Sequence, residues 1–163
     1  MAKIPSYLLS LAGEYRICSE LNKRGVFATI TYGNRKAVDV YAIGDRQNRA
    51  LRIEVKTSQR ANFTTLITQK RLATDPAAPD FWVLFQINVG KGGTFEERFF
   101  VLTHKEICQA QAKVNRAYGR QYRARHGKPY DFATGVDNVR VVDVERFENQ
   151  WSKIVDAHGG LDR

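Results

Sequence analysis

The chain has 163 residues, of which 43% are hydrophobic and 11% aromatic, which excludes a disordered chain and predicts one globular domain over residues 1–163. Its 26 lysines and arginines outnumber its 17 aspartates and glutamates, so at a net charge of +9 we expect a polyanionic partner, nucleic acid before an acidic membrane. Cys18 and Cys108 are too few for a disulfide framework, and no secretory or membrane-spanning segment is visible, so we expect a cytoplasmic protein.

The predicted elements mix helices and strands. The first four are a helix ended by Gly25 and three strands, at residues 6–24, 26–31, 37–43 and 50–57. The next three are a helix, a buried strand and a second strand, at residues 63–73, 81–89 and 94–102. Thr103 and Glu106 have the spacing of a capping box, so a helix should begin there. The last two are a strand at 139–144 and a helix with one shared face, formed by Phe147, Trp151, Ile154 and Val155.

A glutamate lies in the apolar stripe of the first predicted helix. Leu11, Glu14, Cys18 and Leu21 follow helical spacing and share one face. An unpaired carboxylate in such a place costs on the order of several kcal/mol or loses its charge. We therefore expect a cation near Glu14, unless the true phase of the helix differs slightly and exposes it.

An aspartate in the second predicted strand raises the same question. Asp39 interrupts an apolar run, and the next strand offers Glu54 and Lys56 on one face, roughly 7 Å apart. If the two strands pair, these three side chains converge. One or two carboxylates can hold a hard divalent cation, and a lysine beside it can stabilise an attacking hydroxide or a negative phosphorane, which predicts phosphodiester hydrolysis. The alternatives are ordinary ion pairs, with Asp39 bound to Arg52 and Glu54 in a solvated pair.

These residues resemble the motif of the PD-(D/E)xK nuclease superfamily: Glu14 on the leading helix, Asp39 on the second strand, and Glu54-Val55-Lys56 on the third. The matching element order covers about residues 6 to 89. The resemblance implies an α/β fold with a restriction-endonuclease-like core. That core has a mixed central sheet in the order helix, three strands, helix, strand, and spans residues 6–102. An α/β extension over residues 103–158 follows, with a basic segment and a closing strand and helix.

The resemblance also implies roles for the motif residues. Asp39, Glu54 and the Val55 carbonyl would bind Mg²⁺, with Mn²⁺ as a substitute. Lys56 would be the catalytic lysine, and Glu14 an outer metal ligand. Val38 stands before Asp39, where proline is common in these nucleases.

The layout is most similar to compact resolvase-like and homing-endonuclease-like members of the superfamily. The implied activity is metal-dependent endonucleolytic hydrolysis of DNA that leaves a 5′-phosphate. Small members often dimerise so that two sites cut two strands, which leaves a homodimer open. Two alternatives also stay open: a nucleic-acid-binding module of the same fold without turnover, and an RNA-directed nuclease.

A basic and aromatic segment follows at residues 113–130. No acid lies between Glu106 and Asp131, and tyrosines alternate with the cations. This pattern favours contact with a nucleic-acid backbone over a solvated helix face. The predicted phosphate-binding residues of the segment are Lys113, Arg116, Arg120, Arg123, Arg125 and Lys128.

Four further residues are predicted to bind nucleic acid. Arg35 and Lys36 precede the Asp39 strand and should lie near the same groove. Gln69 and Lys70 fall on the predicted helix after the third strand, where some branches of the superfamily place another polar active-site residue.

Two other patterns are better explained by structure than by function. His104 and Cys108 are spaced as zinc ligands can be, but no second pair stands nearby, so the start of a capped helix explains His104 better. Trp82 and Trp151 are expected in the core rather than as base-stacking platforms.

Overall fold

The fold is a mixed α/β arrangement around a five-stranded sheet. The computed structural model describes residues 4–31, 38–44, 49–67, 77–132 and 137–159, and the structural statements below concern these residues. The helices are α1 (Ser6–Asn22), α2 (His104–His126), α3 (Val141–Val144) and α4 (Ser152–His158). The strands are β1 (Ala28–Ile30), β2 (Val40–Gly44), β3 (Arg49–Ser58), β4 (Asn62–Thr64), β5 (Phe81–Val89), β6 (Phe95–Thr103) and β7 (Asn138–Arg140).

The main sheet has the strand order β1-β2-β3-β5-β6, and β4 and β7 form a separate two-stranded sheet. β3 and β5 are parallel, whereas the other neighbours in the main sheet are antiparallel. β5 is buried along Phe81–Ile87. Its nearly continuous apolar sequence is therefore explained by coverage of the sheet on both faces.

Each face of the sheet has its own apolar cluster. On one face, Ile17 and Leu21 of α1 and Ile154 of α4 pack against β2 and β3. On the other face, Ile107 of α2 and Val144 of α3 pack against β5 and β6. Trp82 and Trp151 are 0% and 4% exposed, so both tryptophans belong to the core as predicted.

The predicted start of a helix at Thr103 is confirmed, whereas α1 ends at Asn22, two residues before its predicted end. The Thr103 hydroxyl accepts a hydrogen bond from the Glu106 backbone N–H at 3.3 Å, and the Glu106 carboxylate accepts one from the Thr103 N–H at 2.8 Å. Gly25 adopts a φ of 75° in the turn after α1, and Gly127 one of 67° at the end of α2. Glycine tolerates this left-handed region without steric cost, so it suits both the turn that follows α1 and the C-cap of α2.

Two predicted elements are wrong near the second sheet. The helix predicted from Phe63 cannot begin there, because residues 62–64 form β4, which pairs with β7 and buries Phe63 against Phe100. The rest of that prediction, from residue 68 to 73, lies outside the described residues. The strand predicted over 139–144 is strand only as far as Arg140. The Asp143 carboxylate accepts a hydrogen bond from the Arg140 backbone N–H at 3.0 Å and caps the short helix α3.

The last predicted helix is shorter than expected. It covers residues 152–158, and Phe147 lies in a separate turn of 3₁₀ helix. Asn149, with a φ of 55°, reverses the chain between them. Phe147 consequently packs on the α2 face of the sheet, whereas Trp151 packs on the α1 face.

The mixed sheet flanked by helices is the α/β class that the sequence predicts. None of the described helices combines the length and the apolar character that a membrane span requires.

Candidate active site

Strand pairing brings Asp39 beside Glu54. Val40 of β2 is paired with Ile53 of β3, so Asp39, one residue earlier, lies next to Glu54 in the antiparallel register. The Asp39 backbone N–H donates to the Ile53 carbonyl at 3.0 Å. The Asp39 carboxylate accepts a hydrogen bond from the Val55 N–H at 2.7 Å. The half-buried Asp39 side chain is thereby fixed against the backbone of the Glu54-Val55-Lys56 segment.

Glu54 and Lys56 form a close ion pair on β3. Glu54 is only 4% exposed, and Lys56 Nζ lies 2.5 Å from Glu54 Oε1. Their partners in β5 are Trp82 and Leu84, and paired positions project to the same side of a sheet. Both side chains therefore lie on the side of the sheet that α2 covers. The predicted alternative of a solvated pair does not fit a glutamate this deeply buried.

Glu14 of α1 belongs to the same electrostatic neighbourhood. Burial raises the pKa of the Glu14 carboxyl above its ordinary value, and the negative charge of Asp39 raises it further. The charge of Glu54 also raises this pKa. Lys56 lowers it, but not enough to reverse the net rise. Four of the predicted site residues thus influence one another directly. The expectation of a cation near Glu14 stays a prediction, and Lys56 is the cation whose charge acts on this carboxyl.

The stripe predicted on α1 is only partly correct. Cys18 and Leu21 are buried as expected, but Leu11 is 40% exposed. The buried face is centred instead on Gly13 and Ile17, and Glu14 lies at its half-buried margin. Burial raises the pKa of the Cys18 thiol to about 11, and the nearby charge of Glu14 adds to this effect, so Cys18 is an inert core thiol.

A glycine allows α1 to approach β3 at the site. A side chain at Gly13 would place its Cβ 1.8 Å from the Thr57 hydroxyl oxygen, far inside van der Waals contact. Gly13 precedes Glu14, and Thr57 follows Lys56. Sequence reasoning missed this contact, since a glycine inside a helix signals close packing only when its neighbour is known.

The donor set of the site suits a hard divalent cation. Asp39, Glu54 and the Val55 carbonyl offer oxygen atoms, which Mg²⁺ prefers over nitrogen or sulfur ligands. Among the described residues, no three Asp, Glu, His or Cys side chains are already grouped closely enough to hold a metal ion. Lys56 is bound to one of the Glu54 carboxylate oxygens, so a metal ion would compete with Lys56 for that oxygen.

Arg52 and His104, which the sequence analysis considered in other roles, have identified partners in the structure. Arg52 donates to Asp80, with its backbone N–H 2.8 Å from the carboxylate. His104 begins α2, where its Nδ1 accepts a hydrogen bond from the Trp82 indole at 3.1 Å, and Cys108 Sγ lies 3.5 Å from its Nε2. His104 is therefore held by its core neighbours.

The basic residues on α2 and just after its end are exposed to solvent. All six predicted cations of this segment are exposed to solvent; they are Lys113, Arg116, Arg120, Arg123, Arg125 and Lys128. Arg35, Lys36, Gln69 and Lys70 lie outside the described residues.

Aromatic rings form a cluster at the end of α2 that the sequence only hints at. We call it the aromatic cluster; its members are Tyr118, Tyr122, His126, Tyr130 and Phe132. Tyr130 is at its centre, with ring centroids 4.9 Å from Tyr118, 5.0 Å from Tyr122 and 4.9 Å from Phe132. The spacing of four residues between Tyr118, Tyr122 and His126 is the signal that could have found it.

The architecture is a restriction-endonuclease-like fold, a mixed sheet flanked by helices. Two solved structures are similar to this chain over nearly its whole length. One is a bacterial homing endonuclease, I-Ssp6803I, at 12% sequence identity and a TM-score of 0.53, covering 95% of this chain and 96% of the other. The second is Hjc of Archaeoglobus fulgidus, a Holliday junction resolvase from an archaeal hyperthermophile, at 13% identity and a TM-score of 0.51, covering 94% and 98%. No family model matches the sequence, and no curated protein matches it either.

Proposed function

We propose that this protein is a metal-dependent endonuclease that hydrolyses phosphodiester bonds in DNA. The observation that carries the proposal is that Asp39, Glu54 and Lys56 all act electrostatically on Glu14, with the Asp39 carboxylate bound to the Val55 N–H and Lys56 bound to Glu54. Partial burial of three carboxylates and one lysine lowers the free energy of unfolding, so their grouping indicates a functional site. The similarity in fold to a homing endonuclease and a Holliday junction resolvase supports the same conclusion.

Mg²⁺ is the proposed metal ion, with Mn²⁺ as a substitute. Asp39, Glu54 and the Val55 carbonyl would hold it, and Glu14 would bind one of its outer waters. When bound, the ion would supply Lewis-acid stabilisation of the phosphate and a more acidic water for attack.

The residues of the chain have separate tasks in this proposal. The Val55 N–H orients the Asp39 carboxylate, and the burial of Glu54 limits the number of positions that its side chain can take. Lys56 would stabilise the negative charge that develops on the phosphate during attack. Gly13 positions Glu14 by letting α1 lie directly against Thr57.

The proposed partner is DNA, bound through its phosphates by the exposed cations of α2. We propose the same role for Arg35, Lys36, Gln69 and Lys70. We also propose a homodimer, which would supply two sites for the two DNA strands. A cytoplasmic location is a separate proposal.

Cleavage of supercoiled plasmid in the presence of Mg²⁺ tests this function. Asp39→Ala and Glu54→Ala should each abolish nicking and leave DNA retardation on a gel largely intact, because these groups hold an ion rather than phosphate. Glu96→Ala, which removes an exposed acid on β6, is the matched control and should cut normally. Full activity in either site variant would overturn the proposed site.

Lys56→Ala separates the catalytic lysine from the metal ligands. It should be nearly as damaging to cleavage, yet Mg²⁺ should still raise its melting temperature as it does in the wild type. Asp39→Asn should reduce that gain in melting temperature, since it removes a ligand.

A wild-type protein that retards plasmid without cutting it would instead be a binding module of this fold, and selective cutting of RNA would identify an RNA-directed nuclease.

A further inference from the structure

The aromatic cluster contains one ring that its own packing leaves open. Tyr130 and Phe132 are half-buried, and they dock the chain that returns after α2 onto the helix. The returning chain lies in contact with the helix, since a Cβ at Gly119 would make an ordinary van der Waals contact of 3.4 Å with the Phe132 ring. Tyr118 contacts Tyr130 edge to face, but it remains 46% exposed. Packing of the return segment therefore explains Tyr130 and Phe132 and leaves much of the Tyr118 ring unused.

Tyr118 stands between two cavities. One has a volume of about 280 Å³ and extends from Tyr118 to Tyr130 and Phe132. The other has a volume of about 450 Å³ and extends from Tyr118 to Lys113 and Arg140. Both volumes are near the lower end of the range for small-ligand sites, which suits a planar ring.

The two cavities differ in the chemistry of their walls. The smaller one carries hydrogen-bonding groups beside the rings: Asn115 Nδ2 donates to the buried Asp137 carboxylate at 3.2 Å, and Asn138 lines the same space. The larger one carries exposed cations, Lys113 and Arg140, although Arg140 also pairs with Asp143. An aromatic face, amide groups and adjacent cations are the features that a nucleotide needs for its base, its base edge and its phosphate.

We propose that Tyr118 stacks against an unpaired base of the DNA substrate. The flanking phosphate would lie near Lys113. The amide groups of Asn115 and Asn138, which already hydrogen-bond to Asp137, Gln111 and Thr64, would line the cavity around the base. This inference rests on the proposed function for the identity of the polymer, and it adds a substrate class: DNA with an unpaired stretch, such as a gap, a flap or a branch point. Fully paired duplex buries its bases in the stack and cannot present one to Tyr118.

The test compares binding of two oligonucleotides by the full chain in EDTA, so that no cleavage is needed. One is single-stranded DNA with a central 2-aminopurine, and the other is a fully paired duplex of equal length. The wild type should quench the 2-aminopurine fluorescence on binding. Tyr118→Ala should abolish the quenching and weaken single-strand affinity by about 5- to 150-fold, with duplex affinity nearly unchanged.

Further variants distinguish stacking from a packing role. Tyr118→Phe keeps the ring and should behave as wild type, whereas Tyr118→Leu keeps apolar contact with Tyr130 and should bind as poorly as the alanine variant. Phe95→Ala removes another exposed aromatic ring, on β6, and should have no effect. Equal single-strand binding by wild type and Tyr118→Leu would overturn the inference, even if Mg²⁺-dependent cleavage were intact. Quenching that depends on Tyr118 in a protein that never cuts would uphold the inference and contradict the proposed nuclease.

Discussion

At the scale of single residues, Gly13 has the tightest packing at the site. Alanine favours helices more than glycine does by about 1 kcal/mol, so propensity alone predicts that Gly13→Ala stabilises α1. The added Cβ would lie 1.8 Å from the Thr57 hydroxyl, however, and a clash with that group must displace the helix or the strand. We expect overpacking to prevail, with a net loss of about 1–3 kcal/mol in the free energy of unfolding and reduced cleavage.

Urea denaturation and plasmid nicking measure both effects. Thr57→Ala in the same chain removes the clashing hydroxyl and should restore part of the stability and activity of Gly13→Ala. The matched control is Gly119→Ala in α2, where the new Cβ would make an ordinary 3.4 Å contact with Phe132. That control should be neutral or stabilising. Equal effects of the two glycine substitutions would show that helix propensity, not the Thr57 contact, controls stability.

The candidate site was predictable in its residues but not in its geometry. Charge in an apolar pattern identifies Glu14 and Asp39, because burial of a carboxylate is costly enough to need a cause. Glu54 and Lys56 lie on the polar face of an alternating strand and are identified through the expected pairing of that strand with the Asp39 strand. Sequence cannot show that Val55 donates to Asp39, or that Gly13 meets Thr57, since both contacts join segments more than 15 residues apart. The cost of a buried charge is local information, whereas the partners of that charge depend on the fold.

At the scale of elements, the last turns of α1 are held by a cluster of ion pairs around the buried Glu20. Burial would raise the pKa of Glu20, but hydrogen bonds from Arg24, Lys23 and Arg16 outweigh it and lower that pKa to about 2. Arg16 also binds Glu97 of β6 at 2.7 Å, and the Arg24 guanidinium lies 4.7 Å from the Trp151 ring centroid. The cluster therefore joins α1 to β6 and to the segment before α4.

The sign of the pH dependence follows from this lowered pKa. The stabilisation by ionised Glu20 is present above its ordinary pKa of 4.5 and is lost as the pH falls toward about 2. Glu20→Gln should cost about 1–3 kcal/mol at pH 7, because the partner side chains are partly exposed and screened. The difference from wild type should shrink steadily below pH 4.5 in urea denaturation. Glu96→Gln, at an exposed site, should show no such trend, and a pH-independent cost for Glu20→Gln would contradict the assignment.

The exposed face of α2 makes a second prediction at this scale. If Arg120 and Arg123 contact phosphates, each contact releases counterions and binding weakens steeply with salt. Arg120→Glu combined with Arg123→Glu should lower affinity for every DNA sequence alike. It should also flatten the slope of log affinity against log salt by about one to two units.

A titration at three salt concentrations measures this slope. Lys105→Glu, an exposed charge reversal at the opposite end of the same helix, is the control and should change the slope less. The Mg²⁺-induced gain in melting temperature should be unchanged in the double variant, since the carboxylates lie elsewhere. A wild-type slope in the double variant would leave α2 as a solvated face and remove these residues from the DNA-binding surface.

Secondary structure was predictable wherever the local signal was strong. The apolar run of β5 and the capping box at Thr103 each specify an element without help from the rest of the chain. The error at residues 62–64 has a tertiary cause, because β4 exists only through pairing with β7. The error at residues 141–144 has a local cause. Asp143 did carry a local signal, as an acid three residues after Arg140, but the surrounding valines resemble a strand.

At the scale of the whole molecule, one apolar surface has no partner among the described residues that would bury it. Four large side chains on α1 are exposed together: Tyr7 at 70%, Leu8 at 44%, Leu11 at 40% and Tyr15 at 54%. Their spacing places them along one side of the helix, next to Glu14. Contiguous exposed apolar surface of this kind is uncommon on monomers and marks interaction sites. Because the proposed endonuclease would need two sites to cut both strands, we expect a second copy of this chain to cover this surface.

Light scattering after size-exclusion chromatography tests this interface. The wild type should have about twice the monomer mass of 18.6 kDa, and Leu8→Lys combined with Leu11→Lys should yield monomers, because two buried charges oppose association. Val142→Lys, at a residue 68% exposed on α3, is the control and should remain dimeric. Loss of the dimer should also change the products, from linear plasmid toward nicked circles, since single sites then act independently. A monomeric wild type that still linearises plasmid in one binding event would contradict both the interface and the need for two copies.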